Sequence, residues 1–295
     1  MEHGYFHGVL LSVYRRAASI MGGTGVSQMF PINLLDQVFR SWMRSESAVV
    51  DGHLVHLDPR DSLNLSICGS HEPFESRILK RLVKPGTVVA DIGANIGFYT
   101  LLFARAVGPH GTVHAFEPAP SNMAILERNV AANGYENVVL NRAAVTDVCG
   151  VVPLYLAGDN AVDHRLCNPT GEREAVKVPA VRLDDYFSQK ESSVDLVKMD
   201  VQGAEGFVIK TLEPLVAQNS NLILVTEFWP RGLTLHGSAP EAVLQSLIDL
   251  GFELQELDER REEVRAVDTS ELLKRVTPDN QRHTNLLCRL ATRSS

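Results

Sequence analysis

From Val88 onward the apolar positions fall into short continuous runs, and four of these runs end in acids. Val88-Val89-Ala90 leads into Asp91, and Thr112 to Phe116 leads into Glu117. VDLVKMD closes on Asp200, and LILVTEF, Leu222 to Phe228, carries Glu227 near its end. Runs that are apolar on both faces mark parallel strands buried between helices. Between them the apolar spacing lengthens to that of a helix. Tyr99 to Val107 is stopped by Gly108-Pro109, and the face made by Met123, Leu126 and Val130 ends at Asn133-Gly134. Pro240 to Leu250 is closed by Gly251, Leu183 to Phe187 starts a short helix, and Glu72 to Leu82 delivers the chain into the first strand. Further strands are expected at Val138–Leu140, Val151–Leu156, Ala175–Val181, Phe252–Leu257 and Thr284–Leu290. This alternation predicts an α/β fold, a mostly parallel sheet with helices on both faces. The charged stretch Asp258 to Arg265 reads as a solvated connection.

The first 70 residues have a different character. Leu10 to Ile20 fits a helix broken at Met21-Gly-Gly-Thr-Gly25, and Ile32, Leu35, Phe39 and Trp42 recur at helical spacing. Ala48 to Leu57 carries a hairpin signal around Asp51-Gly52, and Leu63 to Cys68 fits a third short strand. We therefore expect an N-terminal extension over residues 1–70, serving as a cap or a homodimer contact, and a core over residues 71–295.

Composition narrows the function classes. The 295 residues are 44% hydrophobic and 22% charged, ordinary for a globular chain with a sizeable core. A net charge of −8 weighs against nucleic acid or an anionic membrane as partner. The four cysteines include no C-x-x-C pair, which argues for reduced thiols and against zinc. Val9 to Val13 is too short to span a bilayer and follows His and Glu rather than Lys or Arg, so no membrane span or signal peptide is expected. The expected location is cytoplasmic.

The chemistry starts at the turn after Asp91. Gly93, Asn95 and Gly97 stand at alternate positions, where the backbone must approach something closely. A dinucleotide fingerprint needs G-x-G-x-x-G, and Asn95 and Phe98 break it. D-x-G-x-N-x-G followed by an acid at the next strand end suits S-adenosylmethionine (SAM), which has a cationic methionyl end and a ribose diol. Asp91 and the turn, including Ala94, are expected to face the methionyl and ribose portion. Glu117, backed by Pro118, is expected to accept both ribose hydroxyls. The loop Asn141-Arg-Ala-Ala144 offers no acid for the adenine, so backbone and apolar contact at Ala143 is expected, with Asp147 a weaker candidate.

Ligands in an open α/β sheet bind outside the carboxyl ends of the strands. Asp200 and Glu227 would lie there beside the methyl group, and strand alternation puts Lys198 on the same face as Asp200. Three readings of the two acids stand. One of them takes a proton from an acceptor hydroxyl; or the pair holds a divalent cation such as Mg²⁺; or Asp200 only positions the methionyl amine. No metal ligand is assigned, and the cation is not favoured. His164 and His236 are weaker alternatives as bases. The polar loop Asp159 to Glu174 is long enough to be a functional lid.

VADIGANIGFYT, AFEPAPSN, LDDYF, LVKMDVQGAE and LVTEFWP together resemble the FkbM-type family, a branch of the class I SAM-dependent methyltransferases, from about Glu72 to Leu257. The resemblance implies a Rossmann-like seven-stranded sheet with a reversed last strand. It implies O-methylation of a hydroxyl on a natural product, sugar or glycolipid. By it Asp91, Gly93, Asn95, Gly97 and Glu117 carry the cofactor, and Asp200, Gly203 and Glu205 form the block after the strand that ends at Asp200. Many members have an acid where Gln202 stands here. Two other readings are a catalytically silent binding partner that holds SAM or S-adenosylhomocysteine, and a methyltransferase of protein or RNA.

Overall fold

The computed structural model describes residues 45–158, 160–168, 170–190 and 193–291. The two helices expected before residue 44 lie outside the described residues. The chain divides into two compact units, residues 1–71 and 72–295.

In the first unit, β1 (Ser47–Val50) and β2 (His53–His56) pair antiparallel. Asp51 and Gly52 both take positive φ, 50° and 75°, as a two-residue hairpin turn requires. The strand expected over Leu63 to Cys68 is instead a one-turn helix, Leu65–Cys68. Asp61 decides this: its carboxylate accepts from the amides of Leu65 (2.8 Å) and Ser66 (3.0 Å), satisfying donors that a helix start leaves open.

The second unit holds β3 (Val88–Ile92), β4 (Thr112–Phe116), β5 (Val138–Asn141), β6 (Ala144–Val145), β7 (Gly150–Tyr155), β8 (Ala175–Val181), β9 (Leu196–Met199), β10 (Ile223–Phe228), β11 (Phe252–Asp258), β12 (Glu263–Ala266) and β13 (Thr284–Leu290). The central sheet runs β12-β11-β13-β10-β9-β3-β4-β5. From β10 to β5 all neighbours are parallel, whereas β13 is antiparallel to both β10 and β11. Seven of these strands form the Rossmann-like sheet with its reversed last strand. The eighth, β12, lies in the stretch expected to be a solvated connection. Arg265 draws it onto the edge by pairing with the buried Glu256 at 2.8 Å, and its charged side chains keep the outer edge from pairing further.

A separate three-stranded sheet, β6-β8-β7, follows β5. The main core is filled by residues such as Ile92, Phe116, Val197, Met199, Leu224, Phe228 and Leu286, all essentially inaccessible. Because β3, β4, β9 and β10 are parallel, Asp91, Glu117, Asp200 and Glu227 come out toward the same edge of the sheet.

Candidate functional site

The turn after β3 is shaped by contacts that tolerate no side chain. Gly93 sits at φ 79°, and a Cβ there would lie 1.9 Å from the carbonyl oxygen of Asp200, so the turns after β3 and β9 touch backbone to backbone. Gly97, at φ 95°, caps the helix Phe98–Val107. Asn95 tolerates φ 52°, and its Oδ1 accepts from the amide of Ile96 at 2.7 Å.

Glu117 binds this turn to the end of β4. Its Oε2 accepts from the Asn95 amide and its Oε1 from the Ala119 amide, both at 2.8 Å. Burial pushes its pKa up to about 7, against the pull of those two amides. Each oxygen keeps a second lone pair, so the carboxylate is held in place with acceptor capacity left over.

A cavity opens beside it. Of the residues expected at the site, Gly93, Asn95, Glu117, Pro118, Ala143 and Asp200 line it. Ala94, Gly97, Lys198, Glu227 and Asp91 do not. Asp91 is 1% exposed, and its Oδ2 accepts from Thr100 Oγ1 at 2.6 Å, bracing the helix behind the turn. Burial raises its pKa, opposed by Lys198 and Thr100. Asp147 is also outside the lining, paired with Lys210 at 2.8 Å.

The opposite wall comes from elements whose part in the site was not readable from spacing. Leu154 of β7 and Ala161, Val162, His164 and Leu166 of the following loop face the cavity. The carbonyl of Ala161 accepts from Asn122 Nδ2 (2.8 Å) and Asn95 Nδ2 (3.3 Å), which latches the loop to the glycine turn. The length of that loop was the one sequence signal for its role. Asn122, on the helix Pro120–Ala132, stood in the sequence only as the last residue of AFEPAPSN, with no role attached. His164 lines the cavity, but its Nδ1 already accepts from the Ala157 amide. His236 is elsewhere, bonding through Nδ1 to the carbonyl of Gly232 at 2.9 Å.

Acids gather at the other end. Asp200, Glu205 and Glu227 each place a carboxylate oxygen within 4.8 Å of the other two. Glu205 Oε1 accepts from the amides of Val201 (3.0 Å) and Gly203 (3.3 Å), so it holds the turn after β9. Its Oε2, like Oε2 of Glu227, is buried with no hydrogen-bond partner among the described residues. Burial and then Asp200 and Glu205 drive the Glu227 pKa well up. Lys198 faces this group, 3.7 Å from Asp200 Oδ2 and 4.4 Å from the centre of the Tyr99 ring. Burial disfavours its charge, but Asp200, Glu75, Asp91 and Glu72 more than offset that and raise its pKa. Glu75 and Glu72 lie on or beside the helix Pro73–Leu82, which the sequence marked only as a helix. Burial and the neighbouring Glu72 raise the Glu75 carboxyl to about 8.

Comparison with known proteins gives a consistent family. The chain is 31% identical over 163 residues to 31-O-demethyl-FK506 methyltransferase FkbM of Streptomyces tacrolimicus, covering 44% of this chain and 61% of that one. It is 27% identical over 145 residues to methyltransferase 1 of Beauveria bassiana, covering 42% and 58%. It is 30% identical over 197 residues to methyltransferase sdnD of Sordaria araneosa, covering 56% and 73%. The matches thus span about six tenths of the length of the first two relatives. Among solved structures, a SAM-dependent methyltransferase from Aquifex aeolicus aligns at TM-score 0.42 and 18% identity, over 79% of this chain and 94% of that one. Fibrillarin of Aeropyrum pernix aligns at TM-score 0.40 and 16% identity, over 73% and 74%. The strand order, not these low scores, carries the fold assignment. The profile of the methyltransferase FkbM domain matches residues 91–254, more than half of the sequence, and the chain belongs to that family.

Proposed function

We propose that this protein transfers a methyl group from SAM to a hydroxyl of a small molecule. The observation that carries the reading is Glu117: a buried carboxylate that lines the cavity, fixed by two backbone amides and with unused acceptor capacity. Those features suit a ribose diol. Gly93 and Asn95 supply a turn without bulk for the methionyl portion, and Ala143 and Leu154 supply an apolar wall for the base. When bound, SAM supplies an electrophilic methyl on a sulfonium.

What the chain itself contributes is alignment, exclusion of water and a place for the proton. Methyl transfer to oxygen releases the hydroxyl proton, and Asp200 is the cavity carboxylate that would accept it. Glu227, kept protonated by its surroundings, would sit behind it as a reserve rather than as the primary base. Lys198 orients Asp200. The FkbM relative is named for action at an oxygen of a small molecule, which favours a hydroxyl acceptor here too.

Calorimetry with SAM tests the cofactor reading. Wild type should bind, and Glu117→Ala should weaken binding about 100-fold, since two hydrogen bonds to a charged group are lost. No binding, or equal binding by the variant, would refute it.

The unpartnered oxygens of Glu205 and Glu227 favour a second reading, in which a divalent cation sits among the three acids. Treatment with EDTA separates the two: the cation reading requires activity to vanish and return with Mg²⁺.

A further inference from the structure

Two buried polar atoms on residues that line the cavity have no hydrogen-bond partner among the described residues. They are Asn122 Oδ1 and His164 Nε2. Asn122 is 2% exposed. Buried polar groups left open like this are uncommon, and a ligand is one of the ways they are satisfied.

Their neighbours fix what each atom can do. Asn122 Nδ2 donates to the Ala161 carbonyl at 2.8 Å, so the oxygen is the open end of the amide. The backbone amide of Ala157 can only donate, and it donates to His164 Nδ1 at 3.1 Å. The neutral ring must then carry its proton on Nε2. Burial lowers the His164 pKa and so favours that neutral form. Two residues that line the cavity therefore carry one open buried acceptor and one open buried donor, beside an apolar wall.

We propose that Asn122 and His164 read the amino-purine edge of the cofactor, Asn122 Oδ1 accepting from the exocyclic amino group and His164 Nε2–H donating to a ring nitrogen. This rests on the reading of the cavity as a SAM site. An aminopurine edge offers one donor and one acceptor on a flat apolar body, which matches the pair and the wall made by Ala143, Val145 and Leu154. The ribose hydroxyls have Glu117. The loop after β5 supplies no rival: Asp147 is paired with Lys210, and the Asn141 amide donates to the carbonyls of Ala115 and Val139.

The test compares S-adenosylhomocysteine with S-inosylhomocysteine by calorimetry. The second ligand has a carbonyl oxygen in place of the amino group and an N–H in place of the adjacent ring nitrogen. Wild type should bind it at least about tenfold more weakly, because a site built on hydrogen bonds rejects an analogue that leaves its buried groups unpaired. Asn122→Ala and His164→Phe should each move the ratio toward parity, while Glu117→Gln should weaken both ligands and leave the ratio unchanged. Equal affinity of wild type for the two ligands overturns the proposal with the SAM reading intact. Failure of wild type to bind either one removes the SAM reading, and this inference with it.

Discussion

Two groups of carboxylates lie along the strand ends of this molecule, and their surroundings differ. At the end of β4, Glu117 stands with each oxygen on a backbone amide, close to Asn95 and Ala119. At the ends of β9 and β10, Asp200, Glu205 and Glu227 crowd within 4.8 Å, and two of their oxygens meet nothing. A buried carboxylate that accepts backbone amides is a fixed, quiet acceptor; crowded ones repel, and some must hold protons. The first arrangement suits gripping a ligand, the second suits moving a proton or holding a cation. Lys198 is the group that keeps the second arrangement tolerable, through its approach to Asp200 and the fields of Glu75, Asp91 and Glu72.

Removing that lysine should break the comparison most. Lys198→Met should destabilise the fold by about 3–5 kcal/mol, the usual cost of leaving buried charge without its partner. Chemical denaturation measures this, and a loss below about 1 kcal/mol would show that the acids are neutral without it. Next comes the division of labour itself. Asp200→Asn should lower kcat by about 100-fold or more while changing SAM affinity far less. Equal losses in the two would mean that Asp200 positions the cofactor instead.

Proton linkage separates the two ends more gently. Glu117 and Glu205 titrate at about 7 and Glu75 at about 8 in the folded chain, against an ordinary value of 4.5. His114 works the other way, with burial lowering it to about 4, but its opposing contribution levels off just above its ordinary value of 6.5 and is outweighed by the three carboxyls. Between pH 6.5 and 8 the folded chain thus retains carboxyl protons that the unfolded chain has lost, so its stability should fall as pH rises. Cofactor affinity should rise over the same window, because ribose hydroxyls donate to the ionised form of Glu117. Melting curves and calorimetry at pH 6.5 and 8 check both signs. The smallest effect is reserved for an acid outside both ends. Asp147→Asn breaks only a half-exposed pair with Lys210, so stability should change by less than about 1 kcal/mol and cofactor affinity should stay put.

What was legible in advance follows from range. The glycine turn, Glu117 and the acid-ended strands could be read because each is a local matter: a run, a turn residue, an acid, all within one βαβ unit. The helix at Leu65–Cys68 escaped because apolar spacing over so few residues fits a strand equally well, and Asp61 tipped the balance. The edge strand β12 escaped because its residues are polar and its pairing depends on Glu256, which belongs to a different strand.

The sequence alone determined the buried parallel strands, the helices between them and the carboxylate that closes β4, since backbone propensity, burial period and turn chemistry act over a few residues. Tertiary structure alone decided that Asp91 faces inward to Thr100, that Glu205 joins Asp200 and Glu227, that Glu72 and Glu75 surround Lys198, and that Asn122 and His164 both line one cavity. Hydrogen bonds and electrostatic fields depend on distance in space, and only the packed sheet brings those distant positions within reach of one another.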